Sequence, residues 1–222
     1  MAVYDPKQVA KEAAAYRPSP ILKFTDFVRM APSAGQGCPH DLRLGRTMKS
    51  LAARYIEPHR HYHVLGHIGF GLREYFKFFD KMDPVTFFAW LYHDSVYVPD
   101  RNDNEARSAM LFEEDNPEIG FDVKDADKIV SLILSTTHTG VTNIVTDIDL
   151  AGLGLPPEGY DENTRLIRME YNFADDAMWK AGRMAFLTAF LARPQLYFTP
   201  QFAGAYTLQA QENMQRELTK LS

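Results

Sequence analysis

At 222 residues the chain is long enough for one domain with a substantial core, or one domain with a small extension, and too short for two full domains. A hydrophobic fraction of 45% beside 24% charged residues excludes disordered, collagen-like and coiled-coil chains, and the single cysteine, Cys38, excludes an intramolecular disulfide or a multi-thiolate zinc site and suits the cytoplasm. A net charge of -5 argues against a protein that wraps long nucleic acid, which needs a concentrated basic face, but leaves a small anionic ligand open.

The N-terminal stretch mixes Lys7, Lys11 and Arg17 with acids and holds no apolar segment, so no secretory signal is expected there. Ala31 to Pro39 gathers Gly, Pro and Ser and reads as a loop after a short helical region, which divides the chain into an extension, 1–40, and a main domain, 41–222. From there helical spacing takes over: Leu44, Met48, Leu51, Ala52 and Tyr55, then Leu72, Tyr75, Phe76 and Phe79. Pro58 marks a helix start just before a histidine-rich segment. Asp83-Pro84 pairs a capping carboxylate with a proline at the first helical position, and the helix it opens runs through Phe87, Phe88, Trp90 and Leu91 towards His93-Asp94. The longest apolar stretch, Phe87 to Tyr92, is far short of the roughly 20 residues that cross a bilayer, so no membrane partner is expected.

Asn102 to Glu114 is a further helix by composition, and Asp122 or Asp125 caps another carrying Ile129, Val130, Leu132, Ile133 and Leu134. Its apolar residues run nearly all round, which predicts a central buried helix, although VSLIL alone fits a strand as well. After a turn region at Gly152 to Gly159, helical spacing returns in Asp161–Phe173, Asp175–Leu191 and Phe202–Leu221. No long apolar/polar alternation is present, so the expected fold is all-α, a helical bundle.

Four of the seven histidines, His59, His61, His63 and His67, fall within nine residues. Were that segment helical, His59, His63 and His67 would line one face, and imidazoles one turn apart can address the same ion. His93-Asp94 closes an apolar helix that would hold both side chains inside, where an imidazole beside a carboxylate needs a partner such as a metal ion. Asp147 and Asp149 sit among Ile148, Leu150 and Leu153, where core packing alone would not place charge; a helix cap and first-turn acid is their plain reading. Read together, His67, His93-Asp94 and Asp147 or Asp149 are separated by 26 and then 53 or 55 residues, gaps that suit ligands projected from separate helices into one bundle core.

An H…HD…D constellation on an all-α body resembles the HD superfamily of metal-dependent phosphohydrolases. The strings YIEPHRHYHVLGHI, FFAWLYHDSVY, NEARSA, LILSTTHT, DIDLAGLG and IRMEY, in that order, resemble the bacterial and phage subgroup described as predicted metal-dependent HD-superfamily phosphohydrolases, over about Leu44 to Ser222. The resemblance implies His67 as first metal ligand with His63 as the alternative, then His93 and Asp94, and last Asp147 or Asp149, with Asp149 preferred. Gly66, Gly69 and Gly71 depart from the pattern and weaken a helix around the first ligand by about 1 kcal/mol each.

Around that set, Glu105 of the matching NExxS string is a candidate to orient the attacking water or a ligand histidine, with Asn104 and Ser108 beside it as candidate substrate contacts. His138, among Thr136, Thr137 and Thr139, is a candidate for a second metal or a substrate phosphate; a core histidine bonded to a threonine hydroxyl is its plain reading. Arg60, Arg101, Arg107, Arg165 and Arg168 supply cations for phosphate, Arg60 and Arg168 foremost. The expected cofactor is a divalent transition metal, Mn, Fe, Co, Ni or Zn, ahead of Mg. The expected activity is hydrolysis of a phosphoester in a nucleotide or similar small molecule. Two other readings remain: an HD-type di-iron oxygenase in which His63 and His138 hold a second iron, and a non-catalytic nucleotide-binding regulator. The aromatic-rich C-terminal helices offer a face for a homodimer.

Overall fold

The computed structural model of the protein describes residues 40–222, with side chains from residue 45 onward; the expected extension, its loop at Ala31 to Pro39 and Cys38 lie outside the described residues. The described residues form nine α-helices and one short 3-10 turn and no strand, so the body is all-α as its spacing predicts, VSLIL included. In chain order these are α1 (His40–Arg54), α2 (Leu65–Phe76), α3 (Pro84–Tyr92), α4 (Asn104–Ile119), α5 (Val123–Ser135) and α6 (Ile144–Leu150), then the 3-10 turn (Ala151–Gly154), α7 (Pro157–Glu170), α8 (Asp176–Leu191) and α9 (Pro200–Leu221). No helix among the described residues is long and apolar enough to cross a membrane.

Local sequence sets most helix starts. Asp83, Asp122 and Asp175 each accept the backbone N–H three residues on in the helix they open, and Asn143 and Thr146 form a reciprocal capping box at α6. Proline follows the cap of α3 and of α9, where its missing N–H removes nothing. Gly120, at φ +96°, closes α4 in the left-handed conformation that favours glycine.

The central helix is α3 rather than α5. Seven of its nine residues are buried, and it packs against α5 and more lightly against α4 and α6. Its polar side chains find partners inside the core: the Trp90 indole N–H donates to the Ile68 carbonyl at 3.0 Å and the Tyr92 hydroxyl to Asp115 at 2.7 Å. By contrast α5 presents only Ile129 and Ile133 fully to the core, and Leu134 is 40% exposed. Its apolar residues fall on a stripe because Lys124, Asp127, Lys128 and Ser131 occupy the opposite, exposed side.

Helix α2 lies against α6, with Gly71 at the contact: a Cβ there would come within 2.1 Å of the Trp90 ring and 2.5 Å of Ile148. The glycine that weakens α2 locally is what lets the helix approach α3 and α6 closely.

Candidate metal centre

The first histidine region is not the helix expected after Pro58. Residues 55–64 form a chain of turns, and α2 begins only at Leu65, so His59, His61 and His63 do not share a helical face with His67. The reason lies far along the chain. Glu170, the last residue of α7 and buried, accepts the backbone N–H groups of His61, Tyr62 and His63 through one carboxylate oxygen at 2.7, 2.7 and 2.9 Å. A carboxylate that takes three successive N–H groups replaces the carbonyl acceptors of a helical turn. Arg60, also buried, fastens the other side: its guanidinium donates to the carbonyls of His63 (3.1 Å), Asp94 (2.7 Å) and Ser95 (3.2 Å) and to the Glu57 carboxylate. Arg60 therefore joins the histidine loop to the turn that carries His93 and Asp94, and its donors are spent there rather than on a phosphate.

His67 stands in the first turn of α2, His93 and Asp94 at the end of α3, and Asp149 on α6. These four residues form a group that can hold a metal ion, with one donor atom from each and all four atoms within 4.8 Å of one another. His67 Nε2 lies 3.3 Å from His93 Nε2, 3.2 Å from an Asp149 oxygen and 3.6 Å from an Asp94 oxygen; His93 Nε2 lies 2.8 Å from that Asp94 oxygen. The donor set fits a metal on two further grounds. His93 Nδ1 meets the Trp90 carbonyl at 2.8 Å, and because a carbonyl only accepts, Nδ1 carries a proton and Nε2 is the nitrogen left to bind a cation in the cluster. His67 Nδ1 is buried without a hydrogen-bond partner, so protein contacts alone leave this ring under-satisfied.

The electrostatics agree. Burial lowers the His67 pKa. Burial acts the same way on His93, but the Asp94 carboxylate overrides it and pushes the value up to about 10. Asp149 is half-buried, which would raise it, yet the hydrogen bond from His138 and the neighbouring His67 and His93 imidazoles hold it well below the usual carboxylate range. Asp94, where burial is outweighed by the charge of His93, is likewise lowered. With Asp94 only 2.8 Å from His93 Nε2, the metal-free cluster favours a proton on that ring where a cation would serve.

Of the other candidates, three lie around the cluster. His138 donates from Nε2 to the second Asp149 oxygen at 2.8 Å, from a backbone at φ +56° that few non-glycine residues adopt. His63 bonds Glu170 through Nδ1 at 2.6 Å and stacks on Tyr97. Glu105, half-buried in the first turn of α4, is raised by burial, with the charges of Asp94 and Asp149 adding to the shift.

The remaining candidates are held elsewhere. Asp147 points away from the cluster and accepts from Phe198 N (2.5 Å), Thr199 N (2.8 Å) and the Thr199 hydroxyl (2.7 Å), tying α6 to the start of α9. Asn104 pairs with both backbone groups of Val98, and Ser108 with those of Val96, closing the loop after Asp94. Arg168 serves the carbonyls of Tyr171 and Ala174 and the Asp176 carboxylate; Arg101 and Arg165 pair with Asp103 and Glu162, and Arg107 is exposed.

Sequence reasoning alone missed Glu170 and Tyr97. Both sit in quoted strings, IRMEY and FFAWLYHDSVY, yet nothing local marks either as turned inward. No protein-family model, curated protein or solved structure matches the chain.

Proposed function

We propose that the protein is a metal-dependent phosphohydrolase of the HD type that cleaves a phosphoester in a nucleotide or a similar small phosphorylated molecule. The observation that carries this reading is the convergence of two imidazoles and two carboxylates from α2, the end of α3 and α6 on one point, in the H…HD…D order of that superfamily. Mixed nitrogen and oxygen donors favour Mn, Fe, Co, Ni or Zn. Such an ion supplies Lewis acidity towards a phosphoryl oxygen and towards water.

The chain's own groups supply the rest. His138 holds Asp149, and Arg60 holds the Asp94 turn, so both carboxylates are kept in place before any ligand arrives. Glu105, half-buried and with its carboxyl raised by burial, would accept a proton from an attacking water. With Arg60 and Arg168 committed to the protein, charge on the phosphoryl oxygens falls to the cation.

The test is a panel of nucleoside mono-, di- and triphosphates, cyclic nucleotides and simple phosphoesters, run with the metal-reconstituted protein while released phosphate or pyrophosphate is measured. Turnover that survives in metal-stripped His93→Ala protein overturns the proposal. Two irons per chain with an oxygen-dependent reaction would instead establish the oxygenase.

A further inference from the structure

The most heavily used carboxylate in the described residues is not a candidate metal ligand. Glu170 makes five hydrogen bonds while 2% exposed: one oxygen takes three backbone N–H groups, and the other takes His63 Nδ1 at 2.6 Å and the Tyr97 hydroxyl at 3.0 Å. Tethering a loop requires only the first oxygen. The second grips an imidazole whose ring is also fixed by packing, stacked on Tyr97 at 4.1 Å and set edge-on to Tyr62 at 4.9 Å and His67 at 5.8 Å.

A carboxylate accepts and never donates, so Glu170 requires a proton on His63 Nδ1. The polar atom left over is Nε2, which takes no hydrogen bond from the described residues, and the side chain is 19% exposed. The ring is tethered to Glu170 on one side and lies 5.8 Å, centroid to centroid, from the His67 ring of the metal cluster on another. A ring clamped with its proton on one nitrogen and its lone pair open on the other, beside a cation site, is arranged to accept a hydrogen bond from water bound there.

We propose that Glu170 is a positioning residue: it sets the tautomer and orientation of His63 so that Nε2 accepts a hydrogen bond from the water bound at the His67–His93–Asp94–Asp149 centre. This rests on the function proposed above, but the placement of the His63 proton can be read without any turnover.

Glu170→Gln separates the two jobs. Its amide oxygen still accepts the three backbone N–H groups, while its NH2 now donates towards His63 Nδ1 and forces the proton of the neutral ring onto Nε2. In histidine-selective 15N NMR of the metal-free protein at mildly alkaline pH, we expect a protonated His63 Nδ1 in the wild type and an unprotonated one in E170Q. An unprotonated Nδ1 in the wild type, a measurement that needs no variant to fold, overturns the proposal, as does a Nδ1 that keeps its proton in E170Q. In the metal-loaded enzyme, E170Q should lower kcat about 10- to 100-fold with KM changed less, and His63→Ala should do the same. The double variant should be no slower than His63→Ala alone; a further loss of the same size in the H63A background would show that Glu170 acts only through the loop, and would overturn it. Absence of turnover in the wild type counts against the function, and the NMR result then decides the tether by itself.

Discussion

His67 and His93 face each other Nε2 to Nε2 at 3.3 Å, with the indole of Trp90 stacked on His93 at 4.2 Å and tilted against His67 at 5.0 Å. The Asp94 carboxylate, 2.8 Å from His93 Nε2, favours a proton on that nitrogen in the metal-free protein, and a divalent cation competes for the same position. Because the His93 pKa is raised to about 10, the proton is present at pH 8 and metal binding should expel about one proton there, seen as a buffer-dependent heat in titration calorimetry.

The same competition predicts stabilisation. At a free metal concentration near 100 times Kd the folded state gains about 2.7 kcal/mol, a rise in melting temperature of about 5–10 °C for a domain of this size. Mn or Zn should produce the shift, EDTA should reverse it, and Ala in place of His67, His93 or Asp149 should abolish it in a thermal-shift assay.

Asp147 and Asp149 separate by experiment as they do in space. Asp149→Asn should strip the metal, measured by elemental analysis, with a small effect on folding. Asp147→Ala should keep the metal yet lose about 2–4 kcal/mol in urea unfolding, because Phe198 N, Thr199 N and the Thr199 hydroxyl are left without their shared acceptor.

Glu170 gives the protein an acid-sensitive joint. Burial alone would raise its pKa, but the charge of His63, together with hydrogen bonds from that ring and the loop backbone, lowers it from 4.5 to about 2. A carboxylate depressed on folding stabilises the protein above its unfolded pKa, and that stability, about 3 kcal/mol, drains away as pH falls from about 5 to 2. Urea midpoints measured across that range should fall steeply for the wild type and less steeply for E170Q; parallel curves would remove Glu170 as the cause.

Gly71→Ala should destabilise the protein by about 1–3 kcal/mol even though alanine favours helix, since the added methyl meets Trp90 and Ile148. The displaced Trp90 should also weaken metal affinity, whereas Gly182→Ala, in open space on α8, should not.

What could be read from the chain alone follows from how local each feature is. Helix starts at Asp83-Pro84, Asp122 and Asp175 were legible because a cap acts within three residues. The His67, His93-Asp94 and Asp149 set was legible because buried imidazoles and acids stand out against apolar neighbours. Asp147 and Asp149 were not separable, because residues two apart on a helix point about 200° from each other and composition does not reveal which side faces inward. Arg60 and the histidine loop were misread for the opposite reason: their conformation is dictated by Glu170, 107 residues away from His63, and no local pattern foretells such a partner.

Trp90 has one more consequence. It is fully buried, it donates to the carbonyl next to His67, and its ring lies flat on His93, while the only other tryptophan, Trp179, sits on α8. The protein thus carries an internal optical probe: paramagnetic Mn or Co arriving at the imidazoles should quench the emission of one indole and spare the other, so ion occupancy can be followed by fluorescence without a label.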